Sequence, residues 1–252
     1  VPGPNQKIAL VTGISRGIGR ELGAVFRENG YFVAGVSRSK PAFAVDEWIA
    51  CDLSSDKERE TLIQKVTTRF ERLDVLINNA GMGLYSTWAE TAPGDLKRVF
   101  EVNFFSAVEF TRALLPLLRK TRGGVINVSS VAGTFYVPCM GGYSATKFAM
   151  NAFSDSLRVE EKPRGVHVCT LAVGRINTGF SRFALGNRTP PHTPGAGDAR
   201  VLAKKAFRAF RRKNRRIVYP GWYRLLFAAF RLMPGVYDAL NIRKWKLDEP
   251  PE

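Results

Sequence analysis

Histidine and cysteine are scarce in this chain, and acids are outnumbered: its 252 residues hold two His, three Cys and 22 Asp plus Glu against 38 Lys plus Arg. His167 opens an apolar run and His192 lies in a Gly/Pro-rich stretch, neither with a partner at metal-ligand or triad spacing, so both are read as structural and no metal is expected. Cys51, Cys139 and Cys169 stand alone in or near apolar runs. Their odd count argues against a disulfide framework, and a reducing, cytoplasmic compartment is expected. No apolar run reaches the roughly eighteen residues that mark a spanning helix, and the opening VPGPNQKIALVTG has no signal-peptide pattern. The chain opens on Val1 in place of Met, which leaves room for a removed N-terminal leader or anchor.

What is present is a 45% apolar chain long enough for one substantial core, with no composition shift before about residue 180 to mark a second domain. Short β-branched runs alternate with helical patterns: KIALV (7–11) then 16–29, YFVAGV (31–36), EWIAC (47–51) then 56–70, DVLI (74–77) then one long helix over about 95–120, VINVS (125–129) then 142–160, VHVCTLAV (166–173), a helix at 198–213 and RRIVYP (215–220). Continuously apolar strands separated by helices predict an α/β fold, a Rossmann-like, doubly wound parallel sheet of about seven strands with helices on both faces. Between the second and third strands only SRSKPAFAVD remains, too short for a full crossover, so a much reduced helix is expected there.

TGISRGIG follows the first strand, and Gly13, Gly17 and Gly19 would let the backbone turn tightly and approach a pyrophosphate at the start of the next helix. The second strand ends on Ser37 and Arg38 where an acid would accept from a free ribose 2′-hydroxyl; an Arg suits a 2′-phosphate, and Arg16 adds a second cation, so NADP(H) is favoured over NAD(H). NNAG (78–81) ends the fourth strand, Asn103 lies within the long helix, and the fifth strand finishes on Ser129 and Ser130. Tyr143 and Lys147 follow, four residues apart on one helix face.

In this order and spacing the chain resembles the short-chain dehydrogenase/reductase family over about residues 7–180. TGISRGIG resembles its TGxxxGxG, NNAG is identical to its motif, and Asn103, Ser130, Tyr143 and Lys147 fall where its catalytic tetrad falls. The resemblance implies that Tyr143 is the acid–base group, with the Lys147 ammonium lowering a phenol pKa that is ordinarily about 10 and also bonding the nicotinamide ribose. It further implies that Ser130 bonds the substrate oxygen, that Asn103 holds a relay water behind Lys147, and that Asp52, in CDLS, sits beside the adenine. Ser15, Ile18, Leu53, Asn79, Ala80 and Gly81 complete the implied cofactor contacts, with Gly174, Ile176 and Thr178 clamping the carboxamide. AVGRINTGF carries Val173 where the family usually has proline.

The implied activity is hydride transfer between NADP(H) and a carbonyl or secondary alcohol, with residues 1–252 forming one domain and 178–197 a flexible substrate loop. Met82, Leu84, Trp88, Phe135, Tyr136 and Phe180 hint at an apolar pocket and a lipophilic ketone or aldehyde. A 3-oxoacyl thioester on an acidic carrier protein, or NADP(H) sensing without turnover, are the competing readings. Family likeness also implies a homodimer or homotetramer.

The net charge of +16 is concentrated late: fourteen Lys and Arg stand against the single Asp238 between Arg200 and Lys246. Within it, WYRLLFAAFRLMPGVYDALNI carries apolar residues on nearly every side. An apolar segment flanked by cations suits peripheral docking on an anionic membrane, a subunit interface, or a lid over a greasy pocket. Nucleic acid is disfavoured, because the cations accompany no recognition module.

Overall fold

The apolar runs become the strands of one parallel sheet. The computed structural model describes residues 2–191 and 195–248. In chain order the elements are β1 (Ile8–Thr12), α1 (Gly17–Glu28), β2 (Phe32–Ser37), β3 (Glu47–Ala50), α2 (Asp56–Arg69), β4 (Val75–Asn78), α3 (Pro93–Phe100), α4 (Ser106–Thr121), β5 (Gly124–Ser130), α5 (Gly141–Glu161), β6 (His167–Val173), α6 (Ala199–Arg211), β7 (Arg216–Tyr219), α7 (Tyr223–Leu232) and α8 (Pro234–Trp245). The strands lie in the order β3-β2-β1-β4-β5-β6-β7. Every residue of β1, β2, β4 and β5 is buried, as strands covered on both faces must be, whereas the edge strands β3 and β7 are only partly so.

Two apolar layers cover the sheet. Leu62 and Val66 of α2, Phe110 and Leu114 of α4 and Leu157 of α5 pack on one face. Leu22 and Phe26 of α1 and Leu202, Ala203 and Ala206 of α6 pack on the other, where Phe207 meets Phe26 edge-on. Register pairs Val11 with Gly35 on one side and Ile77 on the other. The carboxyl ends of β1 and β4 are therefore level where the strand order reverses, and a crevice opens there.

Two expectations are corrected. Residues 38–46 form no helix at all; the short connection is fastened instead by the Asp46 carboxylate, which accepts from the Val33 N–H at 2.8 Å and from Arg27 Nε at 3.0 Å. The long helix over 95–120 is divided by a π-helical turn at Glu101–Phe105, the kind of register slip that often marks a functional position, and Asn103 sits in it.

A buried cation ties that turn to its neighbours. Arg59 of α2 is 2% exposed, and its guanidinium donates to the Leu53 carbonyl, to Glu101 at 3.1 Å, to Glu109 at 2.6 Å and to Asp56 at 2.6 Å. Removing one member of a buried charged group strands the others. Arg59→Met is expected to cost about 2 kcal/mol and lower Tm by roughly 5 °C; an unchanged melting curve would contradict the assignment.

Candidate active site

The floor of the crevice is a lacing of the glycine turn to NNAG. Thr12 Oγ1 accepts from the backbone N–H groups of Asn79 at 3.0 Å and Ala80 at 3.1 Å, and Asn79 Nδ2 donates to the carbonyls of Thr12 and Gly13. Gly13 has a left-handed φ of +68°, and a Cβ there would stand 2.8 Å from Ala80 Cα. Gly19 does not line the cleft: a Cβ there would collide with the Gly13 carbonyl and with Asn79, so its contribution is to let α1 pack against the strand ends. Asn78, one residue earlier, donates to Thr111 and Asn127 in the core beneath.

Above this floor lies a cleft of about 1700 Å³. Gly13, Ser15, Arg16, Gly17, Ile18, Ser37, Arg38, Asp52, Leu53, Asn79, Ala80 and Gly81 line it, as do Gly174, Ile176 and Thr178. At one end α1 begins with no side-chain cap and no acid in its first turn, which leaves the positive helix terminus open to an anion. Arg16 and Arg38 flank that end. Partial burial and the charge of Arg38 both push the Arg16 pKa down. Arg38 Nη1 lies 4.0 Å from Asp52. Burial works against the Asp52 carboxylate, but the Ser54 N–H and hydroxyl together with Arg38 hold its pKa below the ordinary range. The Ser37 hydroxyl donates to the Ser39 carbonyl and accepts from Trp48 Nε1, so it is already engaged. These donors and glycine approaches fit a phosphorylated dinucleotide.

Further along the cleft stand Ser130, Tyr143 and Lys147, all buried. Ser130 ends β5; its hydroxyl donates to the Val173 carbonyl at 3.1 Å and accepts from the Ala132 N–H. Tyr143 and Lys147 project from the first turns of α5, with Lys147 Nζ 5.7 Å from the Tyr143 ring centre and donating to the Val128 carbonyl at 3.0 Å. Burial brings the Lys147 ammonium down to about 8. It also pushes the Tyr143 phenol up, opposed by the Ser130 hydroxyl. Burial is therefore the dominant influence on the Tyr143 phenol in the free protein, with Lys147 Nζ directed to the Val128 carbonyl. Asn103, 1% exposed, lies behind the cleft rather than in it. Its carboxamide is spent: Oδ1 accepts from the Met82 N–H, and Nδ2 donates to the Met82 carbonyl and to Thr146 Oγ1.

The residues after Thr178 fold over the cleft. Phe180–Phe183 form a short 3₁₀ turn in which Phe180 meets Tyr143 edge-on at 6.0 Å and Phe183 lies 3.5 Å from the Arg16 guanidinium. Arg188 clamps this segment to Glu90 through two hydrogen bonds, the shorter 2.6 Å. His192 lies outside the described residues; His167 sits at the start of β6, where its Nε2 faces the Asn214 carbonyl.

The apolar wall differs from the one expected. Met82 and Phe180 line the cleft; Leu84, Trp88, Phe135 and Tyr136 do not. Leu84 is core, Trp88 packs under Gly141, and Phe135 and Tyr136 form a backing layer. The wall itself comes from α7 and α8, through Tyr223, Leu226, Phe227, Phe230 and Tyr237. Phe227 stacks on Phe135 at 5.2 Å, Tyr237 meets Phe135 edge-on at 4.5 Å, and its hydroxyl donates to the Tyr136 carbonyl. The Tyr223 ring lies against Gly174, where any side chain would collide with it. In the sequence these aromatics carried a signal, but their spacing alone does not say which side of each helix faces the site.

A doubly wound parallel sheet with a glycine turn at its switch point is the architecture of a dinucleotide-binding protein. The sequence profile of the short chain dehydrogenase family matches residues 7–185, and the chain belongs to that family. It is 35% identical over 178 residues to the 3-ketodihydrosphingosine reductase of Bacteroides thetaiotaomicron, covering 69% of this chain and 66% of that protein, just under two thirds of the relative's length. A short-chain dehydrogenase from Streptomyces avermitilis has a TM-score of 0.78 at 26% identity, over 96% of this chain and 97% of that one. The alcohol dehydrogenase of the archaeon Thermococcus sibiricus, in complex with 5-hydroxy-NADP, has a TM-score of 0.74 at 25% identity, over 87% of this chain and 98% of that one. The family is one of oxidoreductases that act on CH–OH or C=O groups of small molecules with a nicotinamide cofactor.

Proposed function

We propose that the protein is an NADPH-dependent reductase of lipophilic ketones or aldehydes. The observation that carries this reading is a single cleft with two guanidiniums and an uncapped helix terminus at one end, a Ser130–Tyr143–Lys147 group in its course, and aromatic walls from α7 and α8 beyond. The alcohol dehydrogenase whose structure holds 5-hydroxy-NADP supports the choice of cofactor, as does the 3-keto substrate in the name of the Bacteroides relative for the substrate class.

When bound, the cofactor supplies a hydride from its nicotinamide ring. Tyr143 would give its phenolic proton to the oxygen of a carbonyl so reduced, leaving an alcohol and a phenolate. Burial suits Tyr143 to this direction, because a phenol that holds its proton arrives ready to donate it. The Ser130 hydroxyl turns from the Val173 carbonyl to the substrate oxygen and stabilises the charge that develops there. Lys147, still charged at neutral pH, steadies the phenolate left behind. The Asn103 carboxamide is engaged by Met82 and Thr146, so the relay water that family likeness places behind Lys147 does not take its bond from that carboxamide. In this reading residues 178–197 are the substrate loop and 198–248 the C-terminal wall. The π-helical turn before α4, with Phe105 exposed, and the outward face of α5, with Phe148 and Val159 exposed, support the homodimer or homotetramer that family likeness implies.

Two variants test the reading. Tyr143→Phe is expected to keep NADPH affinity by fluorescence titration and to lose at least about a thousandfold in turnover; turnover near wild type would sink the mechanism. Arg38→Asp is expected to weaken NADPH by about tenfold or more while leaving NADH within a few-fold, because only the 2′-phosphate loses a partner. Equal losses for both would show that Arg38 does not read that phosphate.

A further inference from the structure

The helices that wall the cleft carry a second face, and it is unlike the rest of the surface. On α7 Leu225 is 78% exposed and Leu232 84%; Met233, Val236 and Leu240 continue the exposed row through the bend onto α8, with Ile242 exposed on the far flank of that helix. Aliphatic side chains of this size are stabilised by leaving water, so their exposure together is a stored driving force for docking. Exposed cations, Arg224, Arg231, Arg243 and Lys246, border the same face. The acid among them, Asp238, accepts a hydrogen bond from Tyr136. An apolar strip bordered by cations complements a surface with an apolar interior and anionic headgroups.

We propose that the outer face of α7 and α8 docks in the interface of an anionic lipid bilayer. It does so without crossing it. At 10 and 12 residues the helices are about 15 and 18 Å long, each short of a hydrocarbon core of about 30 Å, and they meet at a bend of 113°. Their inner faces are held to the protein through Tyr223 on Gly174 and Tyr237 and Phe227 on Phe135. Only the outer row is left to enter the acyl boundary, as in an interfacial helix.

Docking here also sets a route for substrate. Leu240 is 53% exposed and lines the cleft as well, so it marks a rim where the cleft opens on the docking face. Arg243 and Lys244 line the same rim. A lipid carbonyl compound passes from the bilayer past Leu240 to the aromatic wall without crossing water. This route rests on the reductase reading, whereas docking does not, and vesicle binding is read without turnover.

The experiment is co-sedimentation of the full chain with phosphatidylcholine vesicles, with and without phosphatidylglycerol, at low and high salt. Binding is expected to the anionic vesicles only, and to fall as salt shortens the Debye length from about 10 Å at 0.1 M to about 3 Å at 1 M. The Leu225→Asp/Leu232→Asp double variant, whose positions do not line the cleft, is expected to lose about tenfold or more in vesicle affinity with unchanged NADPH binding and circular dichroism. Failure of the wild type to bind anionic vesicles at low salt overturns the proposal, as does wild-type affinity in the double variant. Equal binding to neutral vesicles overturns the role of charge. A self-associated wild type that the double variant converts to smaller species, with no vesicle binding by either, assigns the face to a second copy of the chain and overturns it too.

Discussion

The side chain missing at Gly13 lets the ends of β1 and β4 come within hydrogen-bonding distance, the one missing at Gly19 lets α1 close on them, and the rest of the cleft is built outward from that contact. Thr12 and Asn79 lock it by satisfying backbone groups that the reversal of strand order would otherwise leave unpaired. With the floor fixed, α1 presents an uncapped terminus between Arg16 and Arg38, and Gly81 lies beside the Asn103 carboxamide that braces Met82 against α5. The 3₁₀ turn at Phe180–Phe183 closes on that floor, with Phe183 resting on Arg16 and Phe180 against Tyr143.

The second constraint is burial of a titratable pair. Taking Tyr143 and Lys147 out of water opposes the charged form of each, and burial is the largest influence on both in the free protein. The consequence is a phenol that keeps its proton beside an ammonium that is easily discharged. In the proposed reading, such a pair favours giving a proton to an alkoxide as it forms.

Much of this was legible in the sequence for identifiable reasons. The strands could be read because buried parallel strands are continuously apolar, and NNAG, Ser130, Tyr143 and Lys147 fall at strand ends and on one helix face where periodicity fixes their direction. Less legible were features set by tertiary contact. The π-helical turn around Asn103 has no periodic signature, and the loss of any helix at 38–46 depends on Asp46 reaching Val33 and Arg27. Phe135 and Tyr136 were credited with a wall that belongs to Phe227, Phe230 and Tyr237, because only the fold stacks one aromatic layer behind the other. The apolar tail resolves in the same way: its aromatic side is accounted for by the cleft, and its aliphatic side is not.

In the proposed reading, the two ends of one cleft serve hydride transfer to a lipophilic carbonyl. The most direct measurement follows NADPH absorbance while the purified protein is offered ketones and aldehydes of increasing chain length, alongside small polar carbonyls and a 3-oxoacyl thioester. The account predicts NADPH consumption whose kcat/KM rises with the apolar length of the free carbonyl compound. NADPH binding without consumption across the whole series, or consumption confined to the small polar carbonyls, would contradict it.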